Sequence, residues 1–405
     1  MGTIEIEDIC ICKSNQSKVM NSLRELIRKH VRLHQILRAA RFVLISAVTR
    51  VNGTSHKYPK VLQLPLTYRC NSKCRMCDIW RKDHSDEMSV EEFGRFIKDD
   101  IFREVVGVGV NGGEPSLIVN LPRYVEKILA LPKLKSLNVI SNGFLQHHFL
   151  NSLEEIHSLC RAKGVGFHVA ISLDGVGLVH DRVRNSPKAF ERTIATVDAI
   201  LSQKARYCDS FDVACTIVQQ NVDGLLELDA FAKIKGYEIT YRLGVENQRI
   251  GSDKMPEVYS VLCNPKMRQA AKEFVHFKFF EARNFYDKFK YFSIFYWMNS
   301  SSPRRLMGCA WQNEGVTMDA RGDLYYCAVA SDKLGGLRHS TGRDVFFSDK
   351  NLSHRERILT EKCDNCIHDY GGVPQLKNLA IFFAEILRNR FSMKIYYLKC
   401  RLGLI

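Results

Sequence analysis

Arg69-Cys70-Asn71-Ser72-Lys73-Cys74-Arg75-Met76-Cys77 is the stretch on which the reading of this chain turns. Three cysteines are spaced CxxxCxxC directly after an apolar run, Val61–Leu66, that reads as a strand. Three thiolates can bind three irons of a cubane and leave the fourth iron open to a ligand, whereas a fourth cysteine would close it. A zinc site or three unrelated core thiols remain the alternatives from these residues alone. Zinc usually takes four ligands, and no nearby histidine completes a set.

Outward from this motif, strands and amphipathic helices alternate. Strands are expected at 61–66, 105–110, 137–140, 167–172, 211–218 and 238–243, with helices at 90–98, 122–130, 150–163, 188–203 and 223–234. Such a sequence builds parallel strands with right-handed crossovers, and six units are too few to close an eight-stranded barrel. The unusual residues cluster just after the strands. They are Cys70, Gly112-Gly113-Glu114, Ser141-Asn142-Gly143 and Asp174-Gly175. A helix near 265–283 follows, and after Pro303 the texture changes. Cys309, Cys327, Cys363 and Cys366 lie in a Gly- and Asp-rich region where 315–329 reads as a β-hairpin with Gly322 at a turn position.

With Asn111-Gly112-Gly113-Glu114-Pro115 about 35 residues after the cysteines, the pattern over 61–245 resembles the radical S-adenosylmethionine (SAM) superfamily. The resemblance implies a partial (β/α)6 TIM-like barrel of α/β class and a 4Fe–4S cluster on Cys70, Cys74 and Cys77. The reduced cluster would split SAM to a 5′-deoxyadenosyl radical that abstracts hydrogen from a substrate. It implies that Gly112, Gly113 and Glu114 hold the SAM amino group, the glycines by close backbone approach and Glu114 as a charge-assisted acceptor. Met76 comes just before the last cysteine, as in the family. Ser141 and Asn142 resemble its ribose-contacting strand end. Ile171-Ser172-Leu173-Asp174-Gly175, with His180 to Arg184 following, resembles sulfatase-maturating enzymes. Ser172 and Arg184 would there hold the SAM carboxylate, with Asp174 in the same cofactor site, and Val218 would touch adenine. A guanidinium fork suits a carboxylate.

Cys309, twelve residues, Gly322, four residues, Cys327, then Cys363-Asp364-Asn365-Cys366 resembles the C-terminal SPASM/twitch domains of the superfamily. Only Cys400 follows the CxxC pair, which favours the shorter twitch form with one auxiliary 4Fe–4S cluster. A four-cysteine zinc site is the structural alternative. The expected domains are a basic helical N-terminal extension (1–60), the radical SAM core (61–300), the SPASM/twitch domain (301–375) and a basic amphipathic tail (376–405).

The formal charge of +15 is concentrated at the ends: 1–60 hold 11 Lys/Arg against 4 Asp/Glu, and 375–405 hold 6 against 1. Both segments combine an apolar stripe with basic residues, a pattern suited to peripheral attachment at the inner face of an anionic membrane. No secretory signal or apolar run of spanning length is present, so a cytoplasmic location is expected. Fourteen cysteines in a reducing compartment favour metal ligation over disulfides. No RNA-binding signature accompanies the charge, so nucleic acid is not an expected partner. A flavodoxin- or ferredoxin-type electron donor is implied. For substrate, 1–60 read as one helix without the three strands of a leader-peptide-binding module. That tilts the expectation to a sugar, cyclitol or glycan-type small molecule, oxidised or epimerised, with a ribosomal peptide or protein as the alternative. A non-catalytic iron–sulfur scaffold would have no use for Glu114 and Arg184 together. Tyr241, Arg242 and Glu246, around the end of the sixth strand, are the candidate catalytic and substrate contacts.

Overall fold

A computed structural model describes residues 57–368, 372 and 374–385. The expected basic helical extension, up to residue 56, and the tail beyond 385 lie outside the described residues. Six parallel strands occur where the sequence places them: β1 (Val61–Thr67), β2 (Gly107–Gly112), β3 (Ser136–Ser141), β4 (Gly166–Ser172), β5 (Ser210–Ile217) and β6 (Ile239–Leu243). They stand in sequence order across one sheet. The crossovers run through α1 (Val90–Phe96), α2 (Leu121–Ile128), α3 (Gln146–Ala162), α4 (Leu178–Arg184) with α5 (Ala189–Ser202), and α6 (Leu225–Lys235). Ser89 opens α1 with a capping box: its hydroxyl accepts from Glu92 N, and Glu92 accepts from Ser89 N.

The strand period of two decides which residues meet the helices. Leu62 and Leu64, Val108 and Val110, Leu137 and Val139, Phe167 and Val169, Val213 and Tyr241 all enter the main core. Each fully buried aliphatic side chain there stabilises the fold by about 1.5–3 kcal/mol. The opposite face is polar. Thr317, Gln63, Gly109, Asn138, His168 and Ser210 stand in register across neighbouring strands. Amide oxygens of Gln63, Asn111 and Asn138 and the Thr317 hydroxyl are buried there without hydrogen-bond partners.

The hairpin is not confined to a separate lobe. β7 (Gly315–Met318) pairs parallel to β1, so the sheet continues past its first strand into β8 (Asp323–Tyr325) and a two-residue strand at Gly335–Gly336. The edge of β1 has backbone groups that need partners, and β7 supplies them. The turn follows the sequence reading: Gly322 has φ +83°, and Asp319 Oδ1 accepts from Arg321 N and Asp323 N. Beyond β6, α7 (Pro265–Glu281) and α8 (Phe285–Asn299) pack on each other through an aromatic-rich interface, and residues 376–385 are helical.

Candidate active site

The cysteine loop leaves the C-terminal end of β1, and β2 fixes where it goes. Gly113 N donates to Thr67 O, and Glu114 N donates to Arg69 O, both at 2.7 Å. A Cβ on Gly113 would lie 2.0 Å from Arg69 O, and one on Gly112, at φ +126°, 2.7 Å from Thr67 O. Any side chain would push the two strand ends apart, so the glycines set the approach of the Glu114 turn to the cysteines.

Glu114 is buried and largely occupied by the protein. Oε1 accepts from Ser141 Oγ (2.6 Å) and Ser116 N (3.0 Å), and Oε2 accepts from Asn142 N (2.8 Å). These bonds leave about one of the carboxylate's four acceptor positions. Its principal structural task is thus to clamp the Gly-Gly turn to the Ser141-Asn142 strand end, a role beyond the ammonium contact expected from the sequence. Asn142 Nδ2 continues the clamp to Asn71 Oδ1 (2.7 Å), inside the cysteine loop.

A second brace comes from β4 and α4. Arg184 and Asp174 form a buried ion pair at 2.5 Å, and Arg184 Nη1 lies 3.6 Å from Cys74 Sγ. Burial works against the Arg184 charge, but Asp174 and the nearby thiols more than offset it, so the guanidinium stays protonated. Its Nε is buried without a hydrogen-bond partner. Ser72 Oγ donates to Arg184 O (2.9 Å), and Arg75 N donates to Val183 O. Asp174 N donates to His180 Nδ1 (3.0 Å), His180 Nε2 lies 3.3 Å from Thr193 Oγ1, and Thr193 donates to Asn142 O. Burial and the neighbouring Arg184 and Arg192 push the His180 pKa well down, which matches a neutral ring accepting at Nδ1. Ser172 ends β4, half-buried, and Val218 follows β5. Val218 packs with Val183, Tyr259, Met76 and Met255, so the apolar residue of the cysteine loop and the end of β5 share one patch.

Cys70, Cys74 and Cys77 are thiols, not disulfides. Burial pushes Cys70 and Cys77 up to about 12, so they become thiolates at neutral pH only when a metal takes the proton's place. Among the described residues no three His, Cys, Asp or Glu side chains are close enough to hold a single metal ion. Three thiols that can each bind a different iron, beside an under-partnered guanidinium suited to a carboxylate, fit a cluster with a carboxylate-bearing ligand on its open iron.

The other cysteine set is also brought together. Cys309, Cys327, Cys363 and Cys366 line one cavity with Tyr326 and Arg355. Arg305 closes one side by donating to the carbonyls of Met307, Gly308, Cys366 and His368. Burial raises Cys327 and takes Cys363 up to about 11.

The catalytic candidates fare differently. Tyr241 faces the helices: it is 1 % exposed, packs edge-on against Phe274 and donates to Asp229 Oδ1 (3.1 Å). The strand period reverses its expected role, because the residue beside it, Arg242, takes the concave face in register with Thr216. Glu246 is exposed in the loop after β6. Sequence reasoning missed Asn71, Asn221 and Arg249. Asn71 sits inside the quoted motif and could have been weighed. Asn221, whose Nδ2 donates to Asp174 O and Thr216 O, has no signal in the sequence.

Residues 64–228, which run from β1 into α6 and include the cysteine loop, match the sequence model of the radical SAM superfamily. Members of that superfamily are enzymes. The chain is 30% identical over 95 residues to a probable GTP 3′,8-cyclase of Methanococcus maripaludis, covering 23% of this chain and 32% of the relative. It is 26% identical over 199 residues to the sporulation killing factor maturation protein SkfB of Bacillus subtilis, covering 49% and 45%. The chain thus spans from a third to under half of the length of these curated relatives. In fold it resembles anSMEcpe with bound AdoMet (TM-score 0.53, 16% identity, 84% and 98% covered). It also resembles Streptococcus suis SuiB bound to S-adenosylmethionine (TM-score 0.53, 16% identity, 78% and 73% covered). No helix among the described residues is long and apolar enough to cross a membrane.

Proposed function

We propose that this chain is a radical SAM enzyme that modifies a ribosomally made peptide or protein, with an auxiliary 4Fe–4S cluster on Cys309, Cys327, Cys363 and Cys366. When bound, SAM and the first cluster together supply a radical able to take hydrogen from an unactivated carbon. The protein's part is positional. Cys70, Cys74 and Cys77 hold the cluster. Gly112, Gly113 and the free side of Glu114 receive the SAM ammonium, Arg184 with Ser172 its carboxylate, Ser141 and Asn142 its ribose, and Val218 with Met76 its adenine. Asp174 keeps Arg184 charged and aimed.

The observation that carries the two-cluster reading is the convergence of four thiols, Cys309, Cys327, Cys363 and Cys366, on one cavity. A cluster closed by four thiolates has no vacant iron, which suits accepting the second electron of an oxidation. The peptide substrate is supported by SkfB, whose overlap is the longer of the two curated relatives described. The fold adds support, since it is shared with anSMEcpe, solved with the Cp18Cys peptide, and with SuiB, solved with its precursor peptide SuiA. The polar concave face, with unmatched amide oxygens from three strands, suits a chain rich in N–H donors. The sugar-type substrate expected from the sequence rested on residues 1–60, of which 1–56 lie outside the described residues, and has less support.

The test is to incubate the reduced, reconstituted protein with SAM and peptides encoded beside its gene. Formation of 5′-deoxyadenosine together with a peptide that has lost hydrogen supports the reading. Formation of 5′-deoxyadenosine with sugars or cyclitols as the only altered substrates returns it to the small-molecule class.

A further inference from the structure

Each cysteine site has beside it a buried arginine with no carboxylate partner and with two guanidinium nitrogens, Nε and Nη1, lacking hydrogen-bond partners; Arg305 at the second site differs, since all its guanidinium nitrogens donate to carbonyls. Beside the first loop it is Arg249, 8 % exposed, with Nε and Nη1 lacking hydrogen-bond partners. It acts on the Cys77 thiol, on Tyr68 at the end of β1, and on Asp319 and Tyr325 of the β7–β8 hairpin. Asp319 is already engaged by Tyr68 (2.6 Å) and Tyr325 (3.0 Å). The turn that carries Arg249 is fastened at both ends: Asp78 N donates to Ile250 O, and Gln248 N donates to Val329 O, two residues past Cys327. At the second site the arginine is Arg355, 3 % exposed, lining the four-cysteine cavity, again with Nε and Nη1 unpartnered. It stacks over the rings of Tyr326 and Phe346 (5.1 and 5.6 Å), which hold its plane but satisfy no N–H.

A buried guanidinium without an anion is strongly unfavourable, so two of them require an explanation. Arg184 shows the ordinary solution, an aspartate at 2.5 Å. For Arg249 the Cys77 sulfur is at hand, and Arg355, on whose charge Tyr326 acts, shares its cavity with the four cysteine sulfurs. A cubane held by thiolates is an anion that becomes more negative on reduction, and hydrogen bonds to its sulfurs help set its potential.

We propose that Arg249 and Arg355 are the counter-charges of the first and the auxiliary cluster respectively, donating N–H to their sulfurs and holding each reduction potential up. This rests on the two-cluster reading above. Neither arginine touches the reacting atoms; both are positioning residues for charge.

The test is a potentiometric titration of the reconstituted protein followed by EPR. The first cluster is read in a Cys363→Ser/Cys366→Ser background and the auxiliary one in a Cys70→Ala/Cys74→Ala/Cys77→Ala background. Replacing Arg249 or Arg355 by Met should shift only its own cluster to a more negative potential. At the wild-type midpoint the reduced-to-oxidised ratio should fall about tenfold. Lys variants, which keep the charge and lose the fork, should shift less in the same direction. They provide the reading if a Met variant fails to load iron. Unchanged midpoints in iron-replete variants overturn the proposal. A wild-type chain with iron for one cluster only would instead refute the two-cluster reading, before any arginine is changed.

Discussion

The two cysteine sites are built on different principles. The first sits at the C-terminal ends of the strands, and three side-chain contacts brace its loop: Asn71 to Asn142, Ser72 to the end of α4, and Arg184 reaching Cys74 from its pair with Asp174. The second is bound mainly by backbone. Arg305 gathers carbonyls, Cys327 Sγ accepts from Val329 N, and Cys366 Sγ accepts from His368 N. A site with three thiols and a surrounding polar network has donors and acceptors left for a second ligand. A site with four thiols and a mostly apolar wall is arranged to enclose its metal centre and bind nothing else. The difference predicts a division of labour: SAM chemistry at the first, electron transfer at the second.

The largest effects should come from erasing one site at a time. The wild type should hold about eight irons. Cys70→Ala/Cys74→Ala/Cys77→Ala should keep half of that iron and form no 5′-deoxyadenosine. Cys363→Ala/Cys366→Ala should lose the other half yet still cleave SAM. Iron analysis with chromatography of the nucleoside products reads both. SAM cleavage by the first variant, or abundant zinc in the wild type, would erase the contrast.

Arg184→Ala should weaken SAM binding roughly ten- to a hundredfold through loss of a charge-assisted bond of about 1.5–3 kcal/mol. It should also destabilise the fold by about 3–5 kcal/mol, because Asp174 is left buried and charged. Adding Asp174→Asn should recover much of the stability and none of the SAM affinity. Calorimetric binding alongside denaturant unfolding separates the two effects. Recovery of both would make Arg184 a structural residue only.

The pH dependence sharpens the description of the first site's brace. His180 has a folded pKa well below its unfolded value near 6.5, so below about pH 6.5 the unfolded state binds a proton that the folded state refuses. Its contribution is complete above that pH and is lost at up to about 1.4 kcal/mol per pH unit as pH falls below it. Unfolding midpoints between pH 5 and 7 should drop more steeply in the wild type than in His180→Asn. Parallel curves would show that the ring is protonated in the folded protein.

The strands and the cysteine motifs were legible because period-two alternation, glycine stereochemistry and ligand spacing are local properties. Gly112 and Gly113 could be read as sites of close approach, and the structure gives the contacts that forbid a Cβ. Non-local pairing was not legible. Nothing in Gly315–Met318 states that it will lie parallel to Val61–Gln63, some 250 residues away, or that the Glu114 carboxylate will be taken by Ser141 and Asn142. Arg249 was passed over for a similar reason, since an arginine in a loop reads as solvated until its burial is known.

Tyr241 provides the smallest expected effect and the sharpest test of strand parity. Its neighbour Arg242 shares the concave face with Thr216, so a shift by one residue would exchange their roles. In the structure the Tyr241 ring packs at 4.8 Å from Phe274, beneath Lys278, and its hydroxyl meets an Asp229 that Lys233 and Lys278 already neutralise. Tyr241→Phe keeps the ring packing and leaves Asp229 with both lysines. The cost should be one ordinary hydrogen bond, about 1 kcal/mol. SAM cleavage and substrate turnover should stay at the wild-type rate. Arg242→Ala, on the open face, should leave stability within about 0.5 kcal/mol, as for a surface change, and act on turnover alone. A Tyr241→Phe enzyme that folds and binds SAM normally but no longer turns over substrate would place the hydroxyl in the active site and reverse the assignment of the two faces of β6.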